Sequence, residues 1–421
     1  MDLKNKKVTI IGLARSGFSL SRIISRLGGQ VKISEKAVFD PAKHSFQDQN
    51  LKNQIKTEFG GHTQGFIEDS DFLVVSPGVP RNAEPILWAK AKGIPVMGEI
   101  ELAWRFCPCP VIAVTGSNGK TTVVTLIKKI FEQAQRKVCA CGNIGLPFSD
   151  YVLDLKKDET VVLEISSFQL ESINDFKPHV AVLLNFSQNH LDRHADLEEY
   201  FQAKKRIFEN QTKDDFAVLN YQYPRLRDLA RELKAQICFF NNSQTTAAAV
   251  LNNSNYLAAM EVTRVMGIGS DICHQVFESF RGVEHRLEWV RQLNGVDYIN
   301  DSKSTTAEAG RWALASTSQP IIMICGGRDK NIDFLVLRDL VGQKVKKMVV
   351  IGEAREKIRK AFQDVVSLEE AKDLEQAVIR AWENAAAGDV VIFSPMCTSF
   401  DMFSNFEERG RVYKTIVNRL Y

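Results

Sequence analysis

The chain lacks any long, uninterrupted apolar segment. None of its hydrophobic runs approaches the roughly 20 residues that a bilayer span requires, and the run that begins at Val8 meets Gly12 and Arg15 too soon to form the apolar centre of a secretion signal. An excess of one charge is also lacking, because 54 basic residues stand against 51 acidic ones and the net charge is +3. We therefore expect a cytoplasmic protein with no membrane and no nucleic acid among its partners.

The chain also lacks the residue spacings of common zinc sites. Its eight cysteines include two Cys-x-Cys pairs, beginning at Cys107 and Cys139, which are closer than the usual zinc-ligand pairs. His190 and His194 are four residues apart, but the zincin pattern would need a glutamate where Leu191 stands. We expect reduced, buried thiols and no zinc.

Short β-branched runs alternate with longer helical patterns along all 421 residues. This alternation is typical of βαβ units and parallel sheets, and the length suggests about three domains. We predict an α/β fold of three domains, each with a mainly parallel sheet: Rossmann-like at 1–97, of the P-loop ATPase type at 98–283, and Rossmann-like at 284–421. The predicted strands are 8–11, 31–34, 72–75, 111–115, 138–141, 161–165, 180–185, 216–220, 237–240, 297–300, 321–325, 347–351 and 390–394.

The first strand leads into the glycine-containing turn IIGLARSG, which would place a phosphate at a helix N-terminus. The full dinucleotide fingerprint is missing, because Ala14 stands at its middle position between Gly12 and Gly17. Glu35 ends the second predicted strand, where a ribose-binding acid would lie. A doubly wound domain without a ligand remains the alternative. A dehydrogenase would depend on this turn alone, and the rest of the chain does not favour one.

The segment VIAVTGSNGKTT carries the strongest local signal. A buried strand enters a loop with Gly116, Gly119, Lys120 and Thr121, followed by a helix. Backbone N–H groups of such a loop face phosphate oxygens, the lysine reaches the β- and γ-phosphates, and the threonine hydroxyl ligates Mg²⁺. The longer Walker spacing is not met, since its first glycine would fall on Val114. A loop without a phosphate is the alternative.

Three further residues are candidates for a metal site near that loop. Glu164 ends an apolar strand, where an unpaired carboxylate is costly, and His190 follows another strand. Lys204 lies in the middle of the apolar face of the predicted helix LEEYFQAKKRIF. A lysine on such a face has a lowered pKa, so its neutral amine can capture CO₂ and become an anionic carbamate ligand for Mg²⁺. The alternatives are a lysine that extends its ammonium to water and a structural histidine.

Taken in order, the motifs TGSNGKTT, LEISSFQLE, NHLDRH, AKKRIF, EHRLEW, NDSKSTT and GGRDK resemble the Mur ligases over the whole chain. The segments SSFQLE and SPMCTSFDMFSNFEERG resemble the members that add D-glutamate, and the Asp-Asn-Pro-Arg element of the members that add a diamino acid is absent. The resemblance implies a monomeric, cytoplasmic ligase of peptidoglycan precursor synthesis. It would use ATP and Mg²⁺ to join UDP-N-acetylmuramoyl-L-alanine to D-glutamate through an acyl phosphate.

The resemblance also implies roles for individual residues. Those expected to bind ATP are Gly116, Ser117, Asn118, Gly119, Lys120, Thr121, Thr122, Asn255, Arg286 and Asp301. Those expected to contact the UDP substrate are Arg15, Ser16, Ser34, Glu35 and Asn143, and those expected to form the D-glutamate pocket are Lys303, Thr305, Lys330, Ser399 and Phe406. The expected Mg²⁺ site comprises Thr121, Glu164, His190 and carbamoylated Lys204, and the expected catalytic residues are Lys120, Glu164, His190 and Lys204. Leu251 stands where the family often has a histidine, at the adenine end of the ATP site.

Two other functions are compatible with parts of the pattern. A folylpolyglutamate-synthase-like enzyme shares the ATP site and the lysine carbamate, but a separate UDP-type first domain argues against it. A non-catalytic nucleotide-binding regulator would have lost Lys120, Glu164 or Lys204, and all three are present. No Gly-x-Ser-x-Gly or catalytic cysteine pattern offers a protein nucleophile.

Overall fold

The computed structural model describes residues 1–38, 55–187, 196–242, 253–280, 282–329 and 332–421. These residues form two compact units, Met1–Ser279 and Phe280–Tyr421. The first unit contains two β-sheets and the second contains one. Among the described residues, no helix is long and apolar enough to cross a bilayer.

The first sheet has the strand order β3-β2-β1-β4-β5, and all its strand pairs are parallel. The chain order reverses between β1 and β4, so the turn after β1 lies at the edge where open α/β sheets bind ligands. Its elements are β1 (Lys7–Ile11), α1 (Arg15–Arg26), β2 (Gln30–Glu35), β3 (Lys56–Phe59), α2 (Gln64–Glu68), β4 (Phe72–Val75), α3 (Glu84–Ala91), β5 (Val96–Gly98) and the connecting α4 (Glu99–Trp104).

The second sheet has the order β11-β10-β9-β6-β8-β7 and is also parallel throughout. Its central strands are buried at every position because helices cover both faces. Its elements are β6 (Val111–Thr115), α5 (Lys120–Gln133), β7 (Val138–Gly142), β8 (Thr160–Glu164), α6 (Ser167–Leu170), β9 (Val180–Leu183), α7 (Leu197–Lys205), β10 (Phe216–Asn220), α8 (Pro224–Ala230), β11 (Gln236–Phe240), α9 (Ser254–Val265) and α10 (Ser270–Ser279).

The third sheet has the order β12-β13-β17-β14-β15-β16, and only β12 runs antiparallel to its neighbour. Apolar clusters lie on both of its faces. Its elements are β12 (Glu288–Leu293), β13 (Val296–Asn300), α11 (Ala307–Ala315), β14 (Ile321–Gly326), α12 (Arg338–Lys344), β15 (Val345–Ile351), α13 (Arg355–Phe362), β16 (Ser367–Glu370), α14 (Leu374–Glu383), β17 (Val390–Phe393) and α15 (Phe406–Arg419).

The predicted α/β class, with three mainly parallel sheets, is confirmed. Each predicted strand overlaps an observed one, and the strands that the sequence did not predict are β3, β5, β12 and β16. All four lie at the edges of their sheets. The thiols of Cys107 and Cys139 are half-buried rather than buried, whereas the other six cysteines are buried as expected.

Candidate active site

The loop between β6 and α5 forms a cradle at a helix N-terminus. Gly119 adopts a left-handed conformation with φ of 85°, and a Cβ at this position would clash with Asn255 Oδ1. Only glycine therefore fits between this loop and α9. The first helical residue is Lys120, so the N–H groups of the first turn of α5 face the loop. The expected phosphate loop thus has the required backbone, and Asn255 lies against it.

The segment beyond the end of β9 holds this loop in place. The Asn118 N–H donates to Asn185 Oδ1 at 2.9 Å, and Asn185 Nδ2 donates back to Asn118 O at 3.1 Å. Ser117 Oγ donates to Ser187 O at 3.1 Å and accepts from the Ser187 N–H at 3.0 Å. Asn185 was not among the predicted site residues; its sequence signal is its place just beyond the carboxyl end of a buried strand.

Glu164 lies at the end of β8 and is only 2% exposed. Thr121 Oγ1 donates to its Oε2 at 2.8 Å, and Asn143 Nδ2 donates to its Oε1 at 2.8 Å. Both donors are neutral groups, a hydroxyl and an amide. Asn143, which was expected to contact the UDP substrate, is exposed yet bonded to this carboxylate.

Two lysines converge on one carbonyl oxygen of the loop. Lys120 Nζ donates to Gly116 O at 2.8 Å and Lys204 Nζ donates to the same oxygen at 2.9 Å. Lys204 is 1% exposed, and its ammonium lies 4.6 Å from the centroid of the Tyr200 ring. Burial, and then the charge of Lys120, lower the pKa of Lys204 well below its usual value. The alternative of a lysine extending into water is therefore wrong.

The turn after β1 is built by close backbone contacts. A Cβ on Gly17 would clash with Gly12 O, so the start of α1 packs directly on the turn. The Glu35 carboxylate accepts hydrogen bonds from the N–H groups of Leu13 and Ala37. Glu35 therefore ties the end of β2 to the turn at the expected ligand edge.

Arg15 and Ser34 occupy different environments near this turn. Arg15 is exposed, and its Nη1 donates to Gly145 O at 3.1 Å, which connects the first sheet to the loop that carries Asn143. Ser34 is fully buried, and its hydroxyl contacts Glu58 Oε1 and, at 2.6 Å, His62 Nδ1. The remaining residues expected at the two nucleotide sites, Ser16 and Thr122, are half-buried.

In the second unit, Asp301 follows β13 and is 4% exposed. Its Oδ2 accepts from Ser394 Oγ at 2.8 Å and its Oδ1 accepts from the Leu287 N–H at 3.2 Å. Burial raises the pKa of Asp301 to about 7, against the opposing effects of these hydrogen bonds and of the Arg286 charge. Arg286, which is half-buried, and Asp301 are therefore electrostatic neighbours, as a shared role at one ligand would require.

Residues expected at the D-glutamate pocket lie at the carboxyl ends of β13 and β17. Lys303 Nζ is 5.7 Å from the centroid of the Phe406 ring. Ser399 is buried, and its carbonyl accepts from the N–H groups of Met402 and Phe403. A half-buried Thr305 precedes α11. His190 and Lys330 lie outside the described residues, so their expected positions stay predictions.

Comparison with known proteins identifies the family. The Mur ligase MurD-like N-terminal domain matches residues 6–98, the Mur ligase middle domain matches 114–279, and the Mur ligase glutamate ligase domain matches 285–397. The UDP-N-acetylmuramoylalanine–D-glutamate ligase of Caldicellulosiruptor bescii is 39% identical over 100% of this chain and 99% of its own length. The chain belongs to the Mur ligase family. A Mur ligase with the same name from Thermoanaerobacter sp. strain X514 is 37% identical over the full length of both chains.

Solved structures of other Mur ligases share the fold at low sequence identity. The MurF ligase of Thermotoga maritima, in complex with ADP, has a TM-score of 0.59 and 17% identity, covering 100% of this chain and 97% of that one. The UDP-N-acetylmuramate–alanine ligase MurC of Thermotoga maritima has a TM-score of 0.57 and 16% identity, covering 98% and 99%. E. coli FolC, in complex with DHPP and ADP, has a TM-score of 0.56 and 15% identity, but covers only 76% of this chain and 92% of its own.

Proposed function

We propose that this Mur ligase joins the L-alanyl carboxylate of UDP-N-acetylmuramoyl-L-alanine to the amine of D-glutamate, with hydrolysis of ATP, in peptidoglycan precursor synthesis. The names of full-length relatives that are 37% and 39% identical support this substrate pair. The observation that carries the chemistry is the phosphate-loop backbone with Lys120 and the Thr121–Glu164 pair at its helical end. We also propose a monomer, with domain boundaries near residues 97 and 284.

The reaction requires activation of a carboxylate. The substrate carboxylate attacks the γ-phosphorus of ATP, which forms an acyl phosphate and releases ADP. The D-glutamate amine then attacks the acyl carbon, a proton leaves the nitrogen, and inorganic phosphate departs as the amide forms. Lys120 and Arg286 would neutralise charge on the phosphates as it develops, and no protein nucleophile takes part.

The residues around Glu164 fit a magnesium ion. A threonine hydroxyl and a carboxylate are hard oxygen ligands, and the two neutral donors on Glu164 leave its charge available for a cation. When bound, Mg²⁺ would supply charge neutralisation at the phosphate oxygens. Thr121 and Glu164 would hold it, and His190 is proposed as a further ligand.

Lys204 is proposed to work as a carbamate. Within the part of the chain that the structure describes, no carboxylate lies in ion-pair distance of its buried ammonium, and Gly116 O and Thr115 Oγ1 are its acceptors. A lowered pKa increases the fraction of neutral amine, which adds to CO₂ with loss of one proton. The resulting anion would attract Mg²⁺, whereas the ammonium would repel it.

The substrate-binding residues are proposed in two groups. Arg15, Ser16, Ser34, Glu35 and Asn143 would serve the UDP substrate, and Lys303, Thr305, Lys330, Ser399 and Phe406 would serve D-glutamate. The remaining loop residues and Asn255 would hold ATP, with Asp301 at its ribose.

Phosphate release from ATP tests the function. We expect release only when UDP-N-acetylmuramoyl-L-alanine and D-glutamate are both present, together with formation of the amide product by mass spectrometry. L-Glutamate, L-alanine and meso-diaminopimelate serve as competing amino acids and should give little product. A preference for any of these three over D-glutamate, or turnover of a folate substrate in place of the UDP substrate, would contradict the proposal.

A further inference from the structure

Arg409, in the first turn of α15, is fully buried. Its pKa is lowered to about 10 because burial disfavours the guanidinium charge. Among the described residues no carboxylate lies within ion-pair distance of it, and its hydrogen-bond acceptors are carbonyl and hydroxyl oxygens. Removing a charge from water without an ionic partner is costly, so Arg409 adds little stability by its charge alone.

The guanidinium connects chain segments that are far apart in sequence. Arg409 Nε donates to Ser302 Oγ at 3.1 Å, and Nη2 donates to Ser302 O at 2.8 Å and to Cys397 O at 3.1 Å. Ser302 Oγ in turn donates to Phe406 O at 2.8 Å. One side chain thereby holds together the segment after β13, the segment after β17 and the start of α15.

Each of these segments leads into a residue proposed for the D-glutamate pocket. Lys303 directly follows Ser302, Ser399 lies two residues after Cys397, and Phe406 is itself the start of α15. Arg409 Nη1 also packs on the turn after β14, where a Cβ on Gly327 would lie only 3.2 Å from it. No single helix or strand sets the spacing of these pocket residues, because they come from separate elements.

We propose that Arg409 is the positioning residue of the amino-acid pocket. Its planar guanidinium group fixes the relative placement of the segments that carry Lys303, Ser399 and Phe406. The proposal rests on the proposed function, since it concerns the same pocket. A lysine could not replace the arginine fully, because a single ammonium lacks the rigid array of donors that reaches Ser302 and Cys397 together.

Steady-state kinetics of Arg409→Met and Arg409→Lys test this role. We expect Arg409→Met to raise the KM for D-glutamate about tenfold or more, while the KM values for ATP and the UDP substrate change less than about twofold. Arg409→Lys should recover part of the loss. Arg411→Met is the matched control, because Arg411 is an exposed arginine on the same helix and should leave all three KM values unchanged.

A purely structural arginine gives a different result. Loss of stability lowers the concentration of folded enzyme and therefore the apparent kcat, but it leaves the KM for D-glutamate unchanged; that outcome would overturn the inference. If Arg409→Met does not fold, Ser302→Ala is the alternative variant. It removes the hydroxyl that accepts from Arg409 Nε and should raise the KM for D-glutamate by a smaller factor. Absence of D-glutamate turnover in the wild-type enzyme would instead contradict the proposed function itself.

A second feature lies outside the ligase site, in the segment between α4 and β6. Cys107 and Cys109 flank Pro108, and their Sγ atoms are 3.6 Å apart. Cys107 is half-buried, whereas Cys109 is 9% exposed. The hydrogen bond with the Cys109 thiol lowers the pKa of Cys107, which favours the reactive thiolate at the more accessible sulfur. Within the described residues no three thiols come close enough together to share a metal ion.

We infer that Cys107 and Cys109 are a reversible dithiol that closes to a disulfide under two-electron oxidants such as peroxides. A disulfide bond is about 2.0 Å long, so the two sulfurs need only a small approach. The Cys107 thiolate attacks one peroxide oxygen and breaks the O–O bond to give a sulfenic acid. The Cys109 sulfur then attacks that sulfur while its thiol proton leaves with the departing hydroxyl as water, so that two thiols and hydrogen peroxide yield one disulfide and two waters.

Peptide mass spectrometry of the native protein tests this pair. Cleavage after arginine and lysine releases peptide 106–120, with only Cys107 and Cys109, and peptide 138–156, with only Cys139 and Cys141. After mild peroxide treatment and alkylation, we expect peptide 106–120 to be two hydrogen masses lighter and unalkylated, and to become alkylatable after dithiothreitol. Cys107→Ser should abolish this change, and Cys238→Ser, the control, should not. Full alkylation of peptide 106–120, or conversion to sulfinic acid without a disulfide, would contradict the inference.

Discussion

The Thr121 hydroxyl donates a 2.8 Å hydrogen bond to Glu164 Oε2, so the first turn of α5 and the end of β8 meet at one buried carboxylate. The two residues are 43 positions apart and belong to different motifs. Their contact joins the phosphate loop to the candidate metal ligand, and Asn143 holds the second carboxylate oxygen. A cation at this carboxylate would lie beside the start of α5, where phosphates are expected to bind.

Glu164→Gln should weaken the dependence on magnesium without disturbing the fold. The amide keeps an acceptor for Thr121 but removes the negative charge. We expect the Mg²⁺ concentration for half-maximal activity to rise about tenfold or more. Glu132→Gln, on the exposed side of α5, is the control and should leave the magnesium titration unchanged. An unaltered titration for Glu164→Gln would exclude this carboxylate from the metal site.

Lys120→Ala should abolish turnover while the protein stays folded. The lysine lies at the phosphate loop, and loss of such a charge contact typically costs ~3 kcal/mol or more in the barrier. Circular dichroism checks the fold and phosphate release measures turnover. Lys129→Ala, at an exposed position of the same helix, should remain active. Near-normal activity of a folded Lys120→Ala enzyme would remove the central assignment.

Lys204→Ala should be inactive and partly rescued by a short carboxylic acid such as acetate or propionate. The acid would place an anion in the space that the carbamate vacates, next to Gly116 O. Activity of the wild type should also fall when CO₂ is removed and return when bicarbonate is added. Lys205→Ala is the matched control, because the neighbouring lysine instead pairs with Glu232 at the surface. Full activity of Lys204→Ala without any acid would disprove the carbamate.

Ser399→Ala should raise the KM for D-glutamate far more than the KM for ATP. A hydroxyl that donates to a substrate carboxylate contributes a charge-assisted hydrogen bond, so its loss is expected to weaken binding by about tenfold or more. Ser318→Ala, at an exposed position of the same unit, should change neither value. Equal effects of Ser399→Ala on both substrates would place the amino-acid pocket elsewhere.

The raised pKa of Asp301 predicts a pH-dependent loss of stability. Its folded-state pKa of about 7 exceeds the usual value of about 4, so the folded protein holds this proton more tightly than the unfolded chain. The stability associated with the protonated carboxyl is present below about pH 4 and is lost as the pH rises through about 7. The difference between these two pKa values corresponds to at most about 4 kcal/mol in the free energy of unfolding.

Thermal unfolding of Asp301→Asn checks this sign. The amide cannot ionise and keeps an acceptor for the Leu287 N–H. We expect the Tm of the variant, relative to wild type, to increase between pH 5 and pH 8. Asp297→Asn serves as the control, because Asp297 is a half-buried carboxylate on the neighbouring strand β13 whose Oδ1 accepts a hydrogen bond from Trp289 Nε1 at 3.1 Å. A Tm difference for Asp301→Asn that is constant with pH would contradict the raised pKa.

Much of the fold was predictable because its central strands carry a local signal. Strands such as β6 and β8 are buried on both faces, so their sequences are continuous apolar runs bounded by turns. The missed strands β3 and β16 have the sequences KTEF and SLEE, with charged side chains at half-exposed sheet edges. Such strands form because a neighbouring strand offers free backbone groups, which their own sequences do not reveal.

The strand–loop–helix around Gly119 and the burial of Lys204 were also predictable from the sequence, since both follow from residues within one loop or one helical face. Only the tertiary structure decided that Asn143 bonds to Glu164 and that Arg409 joins Ser302 to Cys397. These contacts connect separate elements, and they form only when the sheet topology brings the carboxyl ends of different strands together. Local periodicity carries no information about such pairs, so the sequence determined the central elements and the glycine loop, and three-dimensional packing decided which side chains lie together.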